Sequence, residues 1–259
     1  MSGPKKTLQL LDRAYAILEY LSNVDMPCSL KEIVDNTGIS KPAVHRVLMT
    51  LQKQLVVIKD THNRYRMGPK IIQWGRACRG ESNLLNIASP YVEDIWKTTG
   101  ETIHLVSYEN GYGYYLLKRE SKYPLQMRSK RGDPILLHST AAGKAILFSL
   151  PDNEFQRYVN ATPLEKRTEN TITDPKILSA QRDQFKNRGF SEECQENERD
   201  IRCIAAPILN DQGYPIGAIS ITCPIFLCDD KRVTRLGILL AKKTKEISEK
   251  FGYGSKEEF

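Results

Sequence analysis

Nothing in this 259-residue sequence approaches the run of about 20 apolar residues that a membrane-spanning helix needs. The opening stretch, MSGPKKTLQL, has no apolar core or cleavage pattern of a secretory leader, so the expectation is a cytoplasmic protein with no membrane partner. The six cysteines (Cys28, Cys78, Cys194, Cys203, Cys223 and Cys228) form no CxxC pair, and the four histidines stand at no ligand spacing. They read as small core residues in a reducing compartment, which sets aside a zinc cage and a disulfide framework. No cofactor is implied. Repeats and low-complexity stretches are absent as well.

A catalytic constellation is also missing. His138 and Ser139 are neighbours, and neighbours on an extended chain point apart, so they do not begin a triad. His104 alternates with apolar residues and reads as a hydrogen-bonded strand residue. Cys203 follows Arg202, whose charge could lower a thiol pKa, yet no His or Asp stands at a motif spacing. The chain reads as no enzyme.

What is present is an uneven charge on an otherwise ordinary composition, 40% hydrophobic and 27% charged. Residues 1–80 hold 13 Lys and Arg against 6 Asp and Glu, whereas residues 81–259 hold 25 of each. The whole excess of +7 therefore lies in the first third. A fold does not require that asymmetry, but a module that binds a polyanion does.

The same third contains SLKEIVDNTGISKPAVHRVLMTLQKQ, residues 29–54. Ser29 with Glu32 three residues on has the spacing of a capping box, and Gly38 suits a left-handed helix end. Ser40 is placed to cap a second helix, with Pro42 tolerated in its first turn. Val44, Val47, Leu48 and Leu51 form one apolar stripe. Lys41, His45, Arg46 and Lys53 lie off it, an arrangement suited to a DNA major groove. Upstream, Thr7–Ser22 is expected to be a helix with an apolar face near Leu8, Leu11, Tyr15, Leu18 and Leu21. Downstream, strands at Leu55–Lys59 and Arg64–Met67 around the turn Asp60–Asn63 make a basic wing carrying Lys59, His62, Arg64 and Arg66. The expectation is a winged helix-turn-helix over 1–68.

A linking helix, Pro69–Arg79, is expected over 69–83, interrupted by Gly80–Asn83. From residue 84 the pattern is a helix to Thr99, in two parts around Pro90, then strands at residues 101–110 and 112–120 about the Asn110–Gly111 turn. A further strand is expected near Pro124–Ser129 and a loop at Lys130–Pro134. Helices follow at Ala141–Leu150 (capped by Ser139 or Thr140), Asp152–Asn160 and Asp174–Arg188. Strands return at Phe190–Cys194, Cys203–Leu209 and Ile216–Thr222, and a helix runs from Asp229 to about Phe251. Antiparallel hairpins with helices between them define an α+β second domain over 84–259.

ISKPAVHRVLMTLQ, GDPILLHSTAAGKAIL, and the pair RCIAAPILNDQG and GAISITCP closely resemble the IclR-type bacterial transcription regulators across essentially the whole chain. KRTENTITDP, with ETIHLV before it and GFSEE after it, looks most like the ketodeoxygluconate-regulon branch of sugar-acid repressors. The resemblance implies a GAF-like effector domain and a homodimer or homotetramer. It places effector contacts at Met127, Ile135, Ala141, Ala142, Glu193, Ile201, Cys203, Ser220 and Thr222. Ala141 stands where family members often carry Gly. The backbone of the helix after HST offers free N–H groups to a carboxylate, and Ser220 and Thr222 share one strand face.

The reading is thus a ligand-responsive repressor of a sugar-acid catabolic operon. Lys41, His45 and Arg46 would make base or near-base contacts to double-stranded operator DNA, Ser29, Ser40, Thr50, Arg64 and Arg66 would hold phosphates, and Pro42 belongs to the same DNA-binding surface. Two rivals remain open: a small-acid enzyme with a basic appendage, and a DNA-binding or oligomerising protein indifferent to metabolites.

Overall fold

The computed structural model describes residues 9–77, 82–122 and 127–254, and the chain divides into two compact units, residues 1–80 and 81–259. In the first, α1 (Gln9–Ser22), α2 (Leu30–Thr37) and α3 (Lys41–Lys53) precede a hairpin of β1 (Val57–Lys59) and β2 (Tyr65–Met67), then α4 (Lys70–Ala77). Ile17, Leu21, Ile33, Val44, Val47, Leu48, Val57 and Tyr65 make its core. Cys28 exchanges backbone bonds with Tyr65 at 2.8 and 2.6 Å, tying the segment before α2 to the wing.

Three expectations change here. The buried face of α1 is Ile17 and Leu21, supported by Ala14 and Leu18, while Leu11 and Tyr15 are exposed; Thr7 and Leu8 lie outside the described residues. Leu18 and Leu21 take their expected places, but the face is rotated away from Leu11 and Tyr15, because which side of an amphipathic helix meets the core depends on its neighbours. Ser40 contributes its carbonyl, not its hydroxyl, to the start of α3. Leu55 turns at φ 57° and is exposed, so β1 begins two residues later.

In the second unit, α5 (Ser82–Thr99) leads into a sheet of β3 (Thr102–Glu109), β4 (Tyr112–Arg119), β5 (Pro134–Ile135), β6 (Ser191–Cys194), β7 (Ile201–Leu209) and β8 (Pro215–Pro224). The strand order is β5-β4-β3-β8-β7-β6, and every pairing is antiparallel. Between β5 and β6 come α6 (Ala141–Ser149), α7 (Asp152–Ala161) and α8 (Pro175–Arg188); a 3-10 turn at Ile225–Leu227 and α9 (Asp230–Glu249) end the unit. One sheet face packs on α5 and α9 through Ile103, Leu105, Ile204, Ile219 and Ile221. The other faces α6 through Ala205 and Ala218.

Of the strand expected near Pro124–Ser129, residues 124–126 lie outside the described residues and Met127–Ser129 is not extended pairing; the short strand is Pro134–Ile135, where a loop was expected. Two ladder positions leave too little sequence for a period to register. Pro90 sits inside one continuous α5. Pro90 and Asn86 are both exposed, so the carbonyl that loses its partner can turn to solvent. Among the cysteines, Cys194 is exposed rather than in the core, and Cys78 lies outside the described residues.

Candidate nucleic-acid interface and ligand pocket

The first site is the outer face of α3. Burial of Ala43, Val44, Val47 and Leu48 leaves Lys41, Pro42, His45, Arg46 and Thr50 exposed on one side. Lys41, Arg46 and Arg66 make no ion pair among the described residues, so their charges remain available to phosphate or base. Thr50 donates its hydroxyl to the Arg46 carbonyl at 3.1 Å.

Two of the basic or polar positions proposed from sequence have work inside the unit. Ser29 accepts the Glu32 N–H at 3.2 Å while Glu32 accepts the Ser29 N–H at 2.6 Å, a complete capping box. Arg64 donates to the Pro27 carbonyl at 2.7 Å and to Glu32 at 3.1 Å, so its charge is neutralised at the root of the wing. The backbone bonds from Ser29 and the nearby Arg64 hold the Glu32 carboxyl below the usual range. Ser29→Ala is expected to lower thermal stability by about 1 kcal/mol through loss of the cap; unchanged melting with weakened DNA binding would instead make Ser29 a contact residue.

The second site lies in the other unit, and strand register assembles it. Glu193, Cys203 and Thr222 are direct partners across β6, β7 and β8, with Thr102 next on β3. The adjacent row is Ser191, Ala205, Ser220 and His104. Above these rows stands the start of α6. Thr140 is its cap, accepting the Gly143 N–H at 3.0 Å, which leaves the N–H groups of Ala141 and Ala142 at the first two helical positions. A Cβ on Gly143 would lie 2.4 Å from the Leu136 oxygen, so glycine is what lets the cap sit this close to the preceding chain.

His104, Tyr115, Met127, Thr140, Ala141, Ala142, Glu193, Asn197, Glu198, Cys203, Ser220 and Thr222 line one small chamber. Ile135 lines an outer basin of about 840 Å³ that shares Tyr115, Met127, Thr140, Asn197 and Glu198 with it. Ile201 is buried in the core and lines neither. Seven of the nine positions carried over from the resemblance therefore meet in the chamber. Lys118 donates to the carbonyls of Met127 at 2.8 Å and Ser129 at 3.0 Å, and His104 Nε2 bonds Ser129 Oγ at 2.9 Å. These bonds hold Met127 at the rim. On the other rim, Thr168 and Thr171 donate to the Gln195 and Glu196 carbonyls, each at 2.6 Å, and so fix the turn that carries Asn197 and Glu198.

Burial pushes His104 down to about 3, with Lys118 adding to the shift, so its imidazole is neutral. The Cys203 thiol is pushed up by burial and by Glu193 beside it, opposite to an activation by Arg202. Arg202 instead turns to the Cys228 carbonyl and Asp230. His138 bonds the Tyr158 hydroxyl and the Glu165 carbonyl, while Ser139 turns to Asn197. Tyr115, His104, Thr140, Asn197 and Glu198 had not been identified as pocket residues. Only Thr140 carried a usable signal, its capping position.

A winged helix with free cations on its outer helix, and a sensor domain with a polar chamber at a helix start, define a ligand-responsive DNA-binding regulator. The chain belongs to the IclR family: residues 10–58 match the IclR helix-turn-helix domain and residues 78–249 the Bacterial transcriptional regulator IclR C-terminal domain. Its members are transcriptional regulators that bind operator DNA and small-molecule effectors, not enzymes. The chain is 27% identical over 242 residues to the transcriptional regulator KdgR of Escherichia coli K12, covering 93% of this chain and 92% of that protein. The crystal structure of the Thermotoga maritima IclR superposes with a TM-score of 0.81 at 31% identity, covering 94% and 98% of the two chains. An IclR homolog complexed with 4-hydroxybenzoate, from Microbacterium hydrocarbonoxydans, shares the fold at TM-score 0.76 and 20% identity over 94% of this chain and 99% of that one.

Proposed function

We propose that this regulator represses a carbohydrate or sugar-acid catabolic operon and is released by a small organic or sugar acid. The observation that carries the reading is the convergence of two unshared helix N–H groups, at Ala141 and Ala142, with the Ser220 and Thr222 hydroxyls in one buried chamber. A helix start favours negative charge, and its bare N–H groups match a carboxylate; two hydroxyls on one strand face suit the hydroxyl or keto groups beside it. The 4-hydroxybenzoate complex of another IclR homolog supports an acid ligand.

Residues 1–68 act as the reading head, 69–83 as the link and 84–259 as the sensor. The protein works in the cytoplasm as a homodimer or homotetramer, so that a pair of α3 helices reads a pseudo-palindromic operator with half-sites ~34–36 Å apart or a multiple of that. The acid shifts the equilibrium between DNA-binding and non-binding arrangements only by its differential affinity for the two.

Footprinting of the promoter beside its own gene, with candidate acids added in turn, tests the whole reading. Thr222→Val and Ala141→Leu are expected to protect the operator as the unsubstituted protein does and to ignore the acid that releases it. A normal response from both variants would mean that the ligand binds elsewhere.

A further inference from the structure

Among the described residues the chamber that takes the acid has no Lys or Arg in its wall, and its charged lining residues are both acidic, Glu193 and Glu198; Arg128, Arg167 and Arg199 of the adjoining basin are paired with Glu198, Glu165 and Glu169. Its free space is about 20 Å³, room for a group about the size of one water. A carboxylate drawn from the adjoining basin toward the start of α6 must part these walls, and it then stands beside Glu193, which lines the same space as Ala141, Ala142 and Thr222. Glu193 is buried, and its Oε2 accepts the Glu196 N–H at 2.9 Å. Two ionised carboxylates side by side in a desolvated space would repel strongly.

We propose that Glu193 is the specificity-determining residue of the chamber: in its protonated form it donates to the effector's carboxylate, so the acid is captured as an anion together with one proton. The proposal rests on the acid-binding reading given above and adds a proton to it. Burial pushes the Glu193 carboxyl up to about 7 even before a ligand arrives, with the Cys203 thiol and the Glu196 amide opposing the shift. The other groups around it are Glu196, which raises it further, Lys144 on α6, which lowers it, and Glu198, Cys194, Tyr115 and neutral His104. Lys144 is bonded to Glu196, so its charge is already matched and does not supply the missing cation.

A guest that stabilises protonated Glu193 must bind more weakly as that proton becomes harder to obtain. Below pH 7 affinity is flat; above it, affinity falls toward about tenfold per pH unit. Titration calorimetry of the full-length protein with pyruvate, D-gluconate, D-galacturonate and 4-hydroxybenzoate, between pH 6 and 8.5 and in buffers of differing ionisation enthalpy, measures both the slope and the protons taken up. The expected result is an uptake approaching one proton at the alkaline end, and loss of the slope in Glu193→Gln, whose amide is a donor at every pH. Binding without proton uptake, affinity that rises with pH, or an unaltered slope in Glu193→Gln overturns the proton-sharing role while leaving the acid pocket standing. If none of the four acids binds at pH 6, the proposal and the reading beneath it fall together. Should the variant not fold, the buffer dependence of the unsubstituted protein decides the matter alone.

Discussion

Replacing Lys144 with Met is expected to lower the stability of the sensor unit by about 3–5 kcal/mol, the penalty for removing one partner of a buried ion pair. Lys144 is wholly buried on α6, and its ammonium is bonded to the buried Glu196 on the turn after β6. Burial pushes the Lys144 amine down and the Glu196 carboxyl up, each opposed by its partner. In Lys144→Met that opposition is lost, and the Glu196 carboxyl rises further above its unfolded value. A carboxyl raised in the folded state has no adverse effect below its unfolded pKa. It destabilises progressively as pH climbs from there to the folded value. The deficit in thermal denaturation should accordingly be small near pH 4.5 and grow as pH rises above it. The double variant Lys144→Met, Glu196→Leu should recover most of the loss, since an apolar pair of similar volume can replace a buried ion pair. A deficit independent of pH would show that lost packing, rather than the stranded carboxyl, sets the effect.

Arg46→Ala is expected to weaken operator binding by about 1–3 kcal/mol, roughly 5–150-fold, and to relax preference at one base pair. Arg46 is exposed in the middle of α3 and makes no ion pair among the described residues, so its removal leaves the core intact and Ala keeps the helix. Anisotropy titrations against the operator and its single-base variants separate two roles. Loss confined to the cognate base marks a base contact. Equal loss on every sequence, with a salt slope lower by about one, marks a phosphate contact. Arg64, a wing cation of the same type, is already bonded to Glu32 and Pro27.

That contrast separates what sequence conveys from what it hides. Arg46 and Arg64 are the same residue type, both in polar surroundings, and no local pattern distinguishes a free guanidinium from one bonded to Glu32, 32 residues away. The α1 helix makes the same point: its period was legible, yet Leu11 and Tyr15 face solvent because the direction of the core is set by α2 and α3.

By itself the sequence determined the local features whose causes span a few residues: the capping box at Ser29 and Glu32, the left-handed Gly38, the stripe of α3, the Asn110–Gly111 turn, and the concentration of positive charge before residue 80. Only the tertiary structure decided what depends on register across strands far apart in the chain. Glu193, Cys203 and Thr222 become one row, and Ser220 and His104 the next, because β6, β7, β8 and β3 pair without slipping at those positions. A slip of one residue would turn every one of them to the opposite face. Hydrophobic burial on both faces fixes that register, and that information resides in no single segment.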